Sequence, residues 1–251
     1  MLRVWGGWLA FLSLLSAPLA AKDFTPLALA RGARIGVISV LAPEVTHFHA
    51  AKAIKDTALH TELVDWSVSN MLIAALKDRV AQMGLVLVPL AVTDELDRSR
   101  ESCFLNGNFN KSALPKECVR PLESLGAAGV AAIIVLAPGL NNSVHAGSTR
   151  RKELPEYVRG WGVVTGEGAS ADGKPALFSM TELLLVAPSS EGALIRAREW
   201  GGNYMLEWTD YVPPADVKTL PPQSYAQLRP LFAAILARQA ARLLDQIQIV
   251  P

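Results

Sequence analysis

The stretch from Arg34 to Val92 constrains the fold of this chain most strongly. It reads RIGVISVLA, then THFHAAKAI and ALHTELVDW, then SVSNMLIAALKDRVAQMG, and finally LVLVPLAV. A continuous apolar run is typical of a strand buried on both faces, and alternation is typical of a half-buried strand. Apolar residues at three-to-four spacing indicate a helix that packs on a sheet. The stretch therefore predicts a β–ββ–α–β unit.

The boundaries of this unit follow from turn and cap residues. Ser67 can cap the helix, and Gly84 is a typical residue for its left-handed end. A right-handed crossover makes the last strand parallel to the first. The predicted elements are a strand over Arg34–Leu41, a hairpin of Val45–Ile54 and Ala58–Trp66, a helix over Ser67–Met83, and a strand over Leu85–Val92.

The remainder of the chain predicts further strands and a long final helix. The segments Lys22–Gly32 and Gly201–Leu220 are expected to be irregular. The expected elements are a short helix over Arg120–Gly129, strands over Val130–Ala137, Tyr157–Gly166, Pro175–Val186 and Ala193–Trp200 around a turn at Ala187–Gly192, and a helix over Pro222–Ile247. The fold class is α/β (α+β), with a mixed sheet, a C-terminal antiparallel hairpin and the terminal helix packed on the sheet.

Residues 1–21 have the pattern of a signal peptide. Arg3 gives a short basic region, Val4 to Leu15 is apolar, and small residues follow, with cleavage expected after Ala20 or Ala21. The apolar part is short for a membrane span and no stop-transfer pattern follows, so we expect no stable span after cleavage. An uncleaved N-terminal anchor is the alternative. The protein is therefore predicted to be periplasmic or secreted.

The charge balance disfavours nucleic acid as a partner. The chain carries 24 basic and 23 acidic residues, and removal of a leader containing Arg3 would make the balance neutral. A neutral chain lacks the basic surface that nucleic acid requires. Residues 22–251 are most simply a single domain. The expected partner is an envelope protein or a small molecule, and the sequence leaves the oligomeric state open.

The two cysteines, Cys103 and Cys118, lie in a polar segment at about 93–119. An even cysteine count in an exported chain predicts one disulfide, which would stabilise the fold by roughly 3 kcal/mol for a loop of this size. A metal pair or a reactive thiol is the alternative, but CxxC spacing and nearby histidines are missing. A polar segment of this length is expected to be functional, an insertion, or partly helical.

Three histidines form a candidate metal site. His47 and His49 are alternate residues of a predicted strand, so their side chains share one face, and H-x-H is a known ligand spacing. His60 on the neighbouring strand can supply a third ligand if the register allows. The alternative is that these are surface histidines of a half-exposed hairpin. No cofactor is otherwise expected, and a divalent metal is the only candidate.

A polar loop after the strand AAIIVLAP is the best-placed candidate site for a ligand. Loops at the carboxyl ends of strands bind ligands in open α/β sheets. His145 is the candidate catalytic residue in this loop, whose side chains can also exchange hydrogen bonds or hold an anion. An ordinary solvated loop is the alternative. The candidate ligand-binding residues are Asn141, Asn142, Ser143, His145, Ser148 and Arg150.

No catalytic motif is present. The chain lacks G-x-S-x-G, a Walker loop, G-x-G-x-x-G and H-E-x-x-H. Two functions of different class remain. The first is an exported periplasmic or cell-envelope protein that binds a protein partner or a small ligand. The second is a secreted hydrolase of small esters or lactones, using either a metal at His47 and His49 or a polar site around His145.

The order of elements resembles that of uncharacterised exported proteobacterial proteins. The resemblance rests on the leader, RIGVISVLA, the hairpin ending in VDW, the helix to Gly84, LVLVPLAV and the strand RGWGVV. The block arrangement is also similar to the N-terminal domain of TolB and the core of CsgG. The resemblance covers pattern over most of the chain and implies a compact α/β periplasmic domain, with no catalytic residues to carry over.

Overall fold

A computed structural model describes residues 26–50, 58–104, 114, 116–126, 129–139, 160–166, 175–189, 192–200, 206–208, 211–212 and 220–251. The strands are β1 (Leu27–Ala30), β2 (Arg34–Ser39), β3 (Glu44–Ala50), β4 (Ala58–Leu63), β5 (Val86–Pro89), β6 (Ala132–Pro138), β7 (Gly160–Gly166), β8 (Ala176–Ser189), β9 (Gly192–Trp200), β10 (Leu206–Glu207) and β11 (Ile247–Val250). The helices are α1 (Val68–Gln82), α2 (Asp94–Phe104), α3 (Lys116–Gly126) and α4 (Pro222–Leu244).

The main sheet is mixed, as predicted. Its order is β4-β3-β7-β8-β6-β2-β5, and β9 and β10 also pair with β8. Strand β2 is parallel to β5 and β6, and β3 is parallel to β7. Strand β8 runs antiparallel to β6, β7 and β9. The α+β class and the antiparallel β8–β9 hairpin are therefore confirmed.

The order of elements in the predicted β–ββ–α–β unit is also confirmed, although β4 ends at Leu63 and not at Trp66, and β5 covers only Val86–Pro89. Strands β3 and β4 pair antiparallel in one register from Glu44↔Leu63 to His49↔Ala58. Ser67 caps α1 by accepting a hydrogen bond from the backbone N–H of Asn70 at 3.4 Å. Gly84 has φ +71°, which explains why a glycine ends the helix. The expected turn between the two hairpin strands lies outside the described residues.

Two predictions about the chain ends are wrong. The segment Lys22–Gly32 was expected to be irregular, but Leu27–Ala30 forms β1 and pairs in parallel with β11. The final helix was expected to reach Ile247, but α4 ends at Leu244 because the chain turns there to form β11. The partners in this small sheet come from opposite ends of the described chain, so neither short strand is evident from local sequence.

Three further predicted segments differ in detail. The turn expected over Ala187–Gly192 is tighter, because β8 continues to Ser189 and β9 begins at Gly192. The segment 93–119 is helical in part, since it contains α2 and the start of α3. Within the region expected to be irregular, Leu206–Glu207 pairs with β8.

The sheet has a helix layer on each face. Alternate residues of β6 belong to different apolar clusters, with Ile134 in one and Ile133 in the other. Helices α1 and α4 pack on the first face, which buries Trp66, Trp161 and Phe232. Helices α2 and α3 pack on the second face through their buried apolar residues. Within the described parts of the chain, no helix is long and apolar enough to span a membrane.

The predicted disulfide is present on the second face. Cys103 of α2 and Cys118 of α3 are bonded, with their Cα atoms 5.4 Å apart. Both cysteines are fully buried beside Leu96 and Leu122. The disulfide therefore joins two helices inside an apolar cluster.

Candidate functional site

A groove of about 550 Å³ lies between the end of β4 and the start of α4. Its inner surface, floor and walls together, consists of the buried residues Val64, Trp66, Leu220 and Tyr225. Its rim is exposed and largely charged. The lining residues are Glu62, Leu63, Val64, Asp65, Trp66, Leu220, Pro222, Tyr225, Ala226 and Arg229. The groove thus combines an apolar floor with a polar edge, which is the usual composition of a ligand site.

Trp66 forms a fixed wall of the groove. It directly precedes the Ser67 cap, so the start of α1 fixes its backbone. Its ring lies 6.1 Å from the ring of Trp161 at an interplanar angle of 68°, and 6.0 Å from the ring of Phe232. The edge-to-face contact with Trp161 and the tilted contact with Phe232 restrict the ring beyond simple burial. A ligand would therefore meet a wall that is already in place.

Tyr225 supplies a hydroxyl on the opposite side of the groove. Burial, together with the nearby negative charge of Glu62, raises the pKa of Tyr225 to about 12. The phenol therefore keeps its proton at neutral pH and can donate a hydrogen bond. Glu62 at the end of β4 and Tyr225 at the start of α4 line the same groove.

The rim carries more negative than positive charge. Glu62 and Asp65 lie on the β4 side, and Arg229 lies on the α4 side. Arg229 also borders a second, apolar groove of about 460 Å³ between α1 and α4. The other residues lining this second groove are Asn70, Met71, Ala74, Ala75, Pro230, Ala233 and Ala237. A ligand that enters at Trp66 could therefore extend along α4 past Arg229.

The structure brings two of the three candidate metal ligands together, but around a hydroxyl. His47 Nε2 lies 2.7 Å from Thr165 Oγ1, and His49 Nδ1 lies 2.9 Å from the same oxygen. The Thr165 hydroxyl has one proton to donate, so at least one of these two imidazoles donates an N–H to it. His47 is fully buried, which makes this cluster part of the core.

His60 does not join the other two histidines in a metal site. It is paired with His47 in the β3–β4 register, but its Nε2 lies 3.1 Å from Glu62 Oε2 on its own strand. Among the described residues, no group of three or more His, Cys, Asp or Glu side chains is arranged to hold a metal ion. The geometry of these histidines instead supports a buried hydrogen-bonded cluster of His47, His49 and Thr165 and an exposed hydrogen bond between His60 and Glu62.

The second candidate site lies outside the described residues. Asn141, Asn142, Ser143, His145, Ser148 and Arg150 all follow Gly139, the last described residue after β6. A ligand site or a catalytic His145 in this loop therefore stays a prediction, as does the hydrolase that would depend on it.

A buried ion pair on the second face was not predicted. Glu182 of β8 is 1% exposed, and its Oε1 lies 2.7 Å from Nε of Arg198 on β9. Burial raises the pKa of Glu182 to about 7, although the attraction of Arg198 acts in the opposite direction. Burial also lowers the pKa of Arg198. A glutamate inside the apolar run of β8 was the signal in the sequence that could have indicated this pair.

The groove itself was also missed by sequence reasoning. Its two sides come from residues 62–66 and 220–229, which are far apart in the chain. Trp66 is a buried core residue and also lines the groove together with the exposed Asp65. Trp208 and Tyr211 do not line this groove; their rings lie 5.0 Å apart and pack in the apolar cluster that contains the buried residues of α4.

Comparisons of the chain with known protein families, with curated proteins and with solved structures find no match.

Proposed function

We propose that this protein is an exported envelope protein that binds a ligand or partner segment in the groove between β4 and α4. The bound group would have an apolar body and a positive charge. The observation that carries this proposal is the rigid Trp66 wall, which stands below a rim with two carboxylates and one guanidinium.

The size and floor of the groove support binding of a small molecule or a short peptide segment. Ligand sites typically have volumes of about 300–1,000 Å³ and mostly apolar walls, and this groove has a volume of about 550 Å³. Trp66 and Tyr225 offer apolar surface, and the Tyr225 hydroxyl offers a directed hydrogen bond. These side chains can hold and orient a ligand without moving, because Trp66 is already packed against Trp161 and Phe232.

The charges at the rim favour a cationic group. Glu62 and Asp65 line the rim and attract a cation. Arg229 opposes the cation from the α4 side, or holds an anionic group on the same ligand. A lysine or arginine beside an apolar residue, or a small aryl amine, has the required chemistry.

Two observations support the export part of the proposal. The leader pattern of residues 1–21 predicts secretion. The Cys103–Cys118 disulfide agrees with an oxidising compartment, where such bonds form and persist. An envelope location would also expose the groove to small molecules and to partner proteins outside the cytoplasm.

Calorimetric titration with two matched probes tests the proposal. Naphthylmethylammonium and naphthylacetate share an aromatic body and differ in the sign of their charge. We expect the cation to bind saturably and the anion to bind more weakly. Removing both rim carboxylates (Glu62→Gln with Asp65→Asn) should weaken cation binding about fivefold, which corresponds to about 1 kcal/mol.

A control variant with the same change in net charge separates the groove from general electrostatics. Asp78 on α1 and Glu95 on α2 are exposed and do not line the groove. Asp78→Asn combined with Glu95→Gln should leave cation binding unchanged. If neither probe binds saturably, or if both charge variants bind the cation equally, the proposal is wrong.

A further inference from the structure

Strand β4 forms one edge of the main sheet. It pairs with β3 on one side, and it stands at the end of the strand order of the described residues. Five of its six residues are exposed, from Leu59 to Leu63. Edge strands of soluble proteins are commonly protected by lysine, proline or a bulge. The sequence ALHTEL has neither lysine nor proline, and its pairing with β3 runs in a single register.

The alternation of hydrogen bonds shows which backbone groups of β4 point away from β3. The Val64 N–H donates to the Pro43 carbonyl oxygen at 2.8 Å, in the register that continues the β3–β4 ladder. Because inward and outward groups alternate along an antiparallel strand, the N–H and C=O groups of Leu59, Thr61 and Leu63 point outward. The side chains of Leu59 and Leu63 are also 45% and 72% exposed.

We propose that β4 pairs with β4 of a second copy of this chain, antiparallel and about a two-fold axis at Thr61. This register places Leu59 opposite Leu63, Thr61 opposite Thr61, and His60 opposite Glu62. Two copies would thereby join their sheets into one. Apolar pairs and threonine pairs across two strands stabilise antiparallel sheets, and an imidazole N–H can donate a hydrogen bond to a carboxylate.

The two neighbouring registers give less favourable cross-strand pairs of side chains than the register centred on Thr61. Only shifts of two residues keep outward backbone groups opposite each other. A shift in one direction places Glu62 opposite Glu62, and like charges directly opposite are unfavourable. A shift in the other direction places His60 opposite His60 and pairs leucine with threonine. The chosen register alone pairs leucine with leucine on one face of the strand and places the His60 imidazole opposite the Glu62 carboxylate on the other face.

The complementarity of the β4 side chains in this register indicates that the strand that pairs with β4 belongs to a second copy of the chain. The edge of β4 is complementary to itself, because His60 and Glu62 exchange places under the two-fold rotation and an imidazole N–H of one copy can donate to the carboxylate of the other. The pairing needs no ligand in the groove, so it can succeed or fail independently of the proposed binding function. A single pair of short strands buries little area, and small interfaces are typical of transient complexes. We therefore expect a weak dimer that forms at high protein concentration, below the millimolar range.

A cysteine on the two-fold axis tests the register. In Thr61→Cys, the new thiols of two copies would face each other at a Cα separation of about 5.5 Å, which a disulfide can span. The native cysteines do not compete, because they are bonded to each other. When the whole protein is mildly oxidised, Thr61→Cys should form a covalent dimer. Leu59→Cys should not, because its thiol would face Leu63 of the second copy.

Changes of charge on β4 test whether the partner is a second copy. The dimer is measured by sedimentation velocity over a series of protein concentrations. His60→Glu should abolish the dimer, because it places two carboxylates opposite each other at two positions. Adding Glu62→Lys should restore the dimer, because opposite charges then face again. Thermal unfolding of each variant shows whether the monomer remains folded. If a charge variant does not fold, the Thr61→Cys cross-link still tests whether β4 pairs with β4 of a second copy.

Three results would overturn the proposal. The first is a protein that stays monomeric up to the millimolar range and gives no Thr61→Cys cross-link. The second is a dimer that is indifferent to both the cysteine position and the charge reversal, which would place the interface elsewhere. The third is a monomer whose β4 edge binds a foreign strand-forming peptide, which would assign the edge to another partner.

Discussion

Arg198 Nε lies 2.7 Å from Glu182 Oε1, and both side chains are buried between β8, β9 and the layer of α2 and α3. The desolvation of the carboxylate outweighs the attraction of the guanidinium, and the pKa of Glu182 rises from 4.5 to about 7. The folded protein therefore holds a proton on Glu182 at a pH where the unfolded chain has released it.

This shift predicts that stability falls as the pH rises. Between the unfolded pKa of 4.5 and the folded pKa of about 7, the folded state binds more protons than the unfolded state. The contribution of Glu182 to the free energy of unfolding is therefore complete below pH 4.5 and lost above pH 7, with an amplitude of roughly 3 kcal/mol. Urea denaturation across this range measures it.

The variant Glu182→Gln isolates this contribution from those of other carboxylates. The difference in unfolding free energy between the wild type and Glu182→Gln should change across the same pH range. The control Glu95→Gln, at an exposed position on α2, should show no such change. A Glu182→Gln difference that is constant with pH would contradict the assignment.

Gly162 of β7 is predicted to tolerate no side chain. A Cβ at this position would overlap the carbonyl oxygen of Thr46 and the ring of Phe178. The oxygen belongs to the backbone of the adjacent strand, so it cannot move aside without shifting β3. We expect Gly162→Ala to lower the free energy of unfolding by about 3 kcal/mol, measured by chemical denaturation.

Gly32→Ala is the comparison for this variant. Gly32 has φ +79° but no atom within 4 Å of an added Cβ, so alanine there costs only the backbone strain, about 1 kcal/mol. Equal losses in the two variants would show that crowding between β3 and β7 is not the cause.

The disulfide is predicted to stabilise the fold without any role in binding. Replacing both cysteines (Cys103→Ala with Cys118→Ala) should lower the free energy of unfolding by about 3 kcal/mol, as expected for a closed loop of this length. A reducing agent should destabilise the wild type and leave the double variant unchanged. Loss of probe binding in a folded double variant would argue against a purely structural bond.

Thr165 is predicted to hold the His47 and His49 rings in the core. Thr165→Val keeps the shape of the side chain but removes the hydroxyl that both imidazoles contact. Because buried polar groups then lose a partner, we expect a loss of about 1–3 kcal/mol in the free energy of unfolding. Thr61→Val, at an exposed position, should change stability by less than about 0.5 kcal/mol, and an equal loss there would refute this role.

The sequence predicted those elements that are specified by residues close together in the chain. The stripe of α1, its Ser67 cap and the buried run of β6 follow from spacing and composition, and the structure confirms them. The β1–β11 pair could not be predicted, because two four-residue strands pair across nearly the whole described chain. Short strands of this kind are specified by tertiary contacts.

The site was harder to predict than the fold for the same reason. The sequence favoured histidines, which are conspicuous as chemical groups, but His47 and His49 are satisfied by Thr165. The groove depends on Trp66 and Tyr225, which read as ordinary core residues until α4 is placed beside β4. Its function therefore follows from the juxtaposition of two distant segments.

The indole N–H resonance of Trp66 provides the most direct test of the groove. The resonance is assigned in a ¹H–¹⁵N spectrum by its loss in Trp66→Phe, and the protein is then titrated with naphthylmethylammonium. We expect a saturable shift of the Trp66 resonance with the calorimetric dissociation constant, and little change at Trp208, which does not line the groove. Saturable binding without a shift of the Trp66 resonance, or no binding at all, would contradict the proposed binding in this groove.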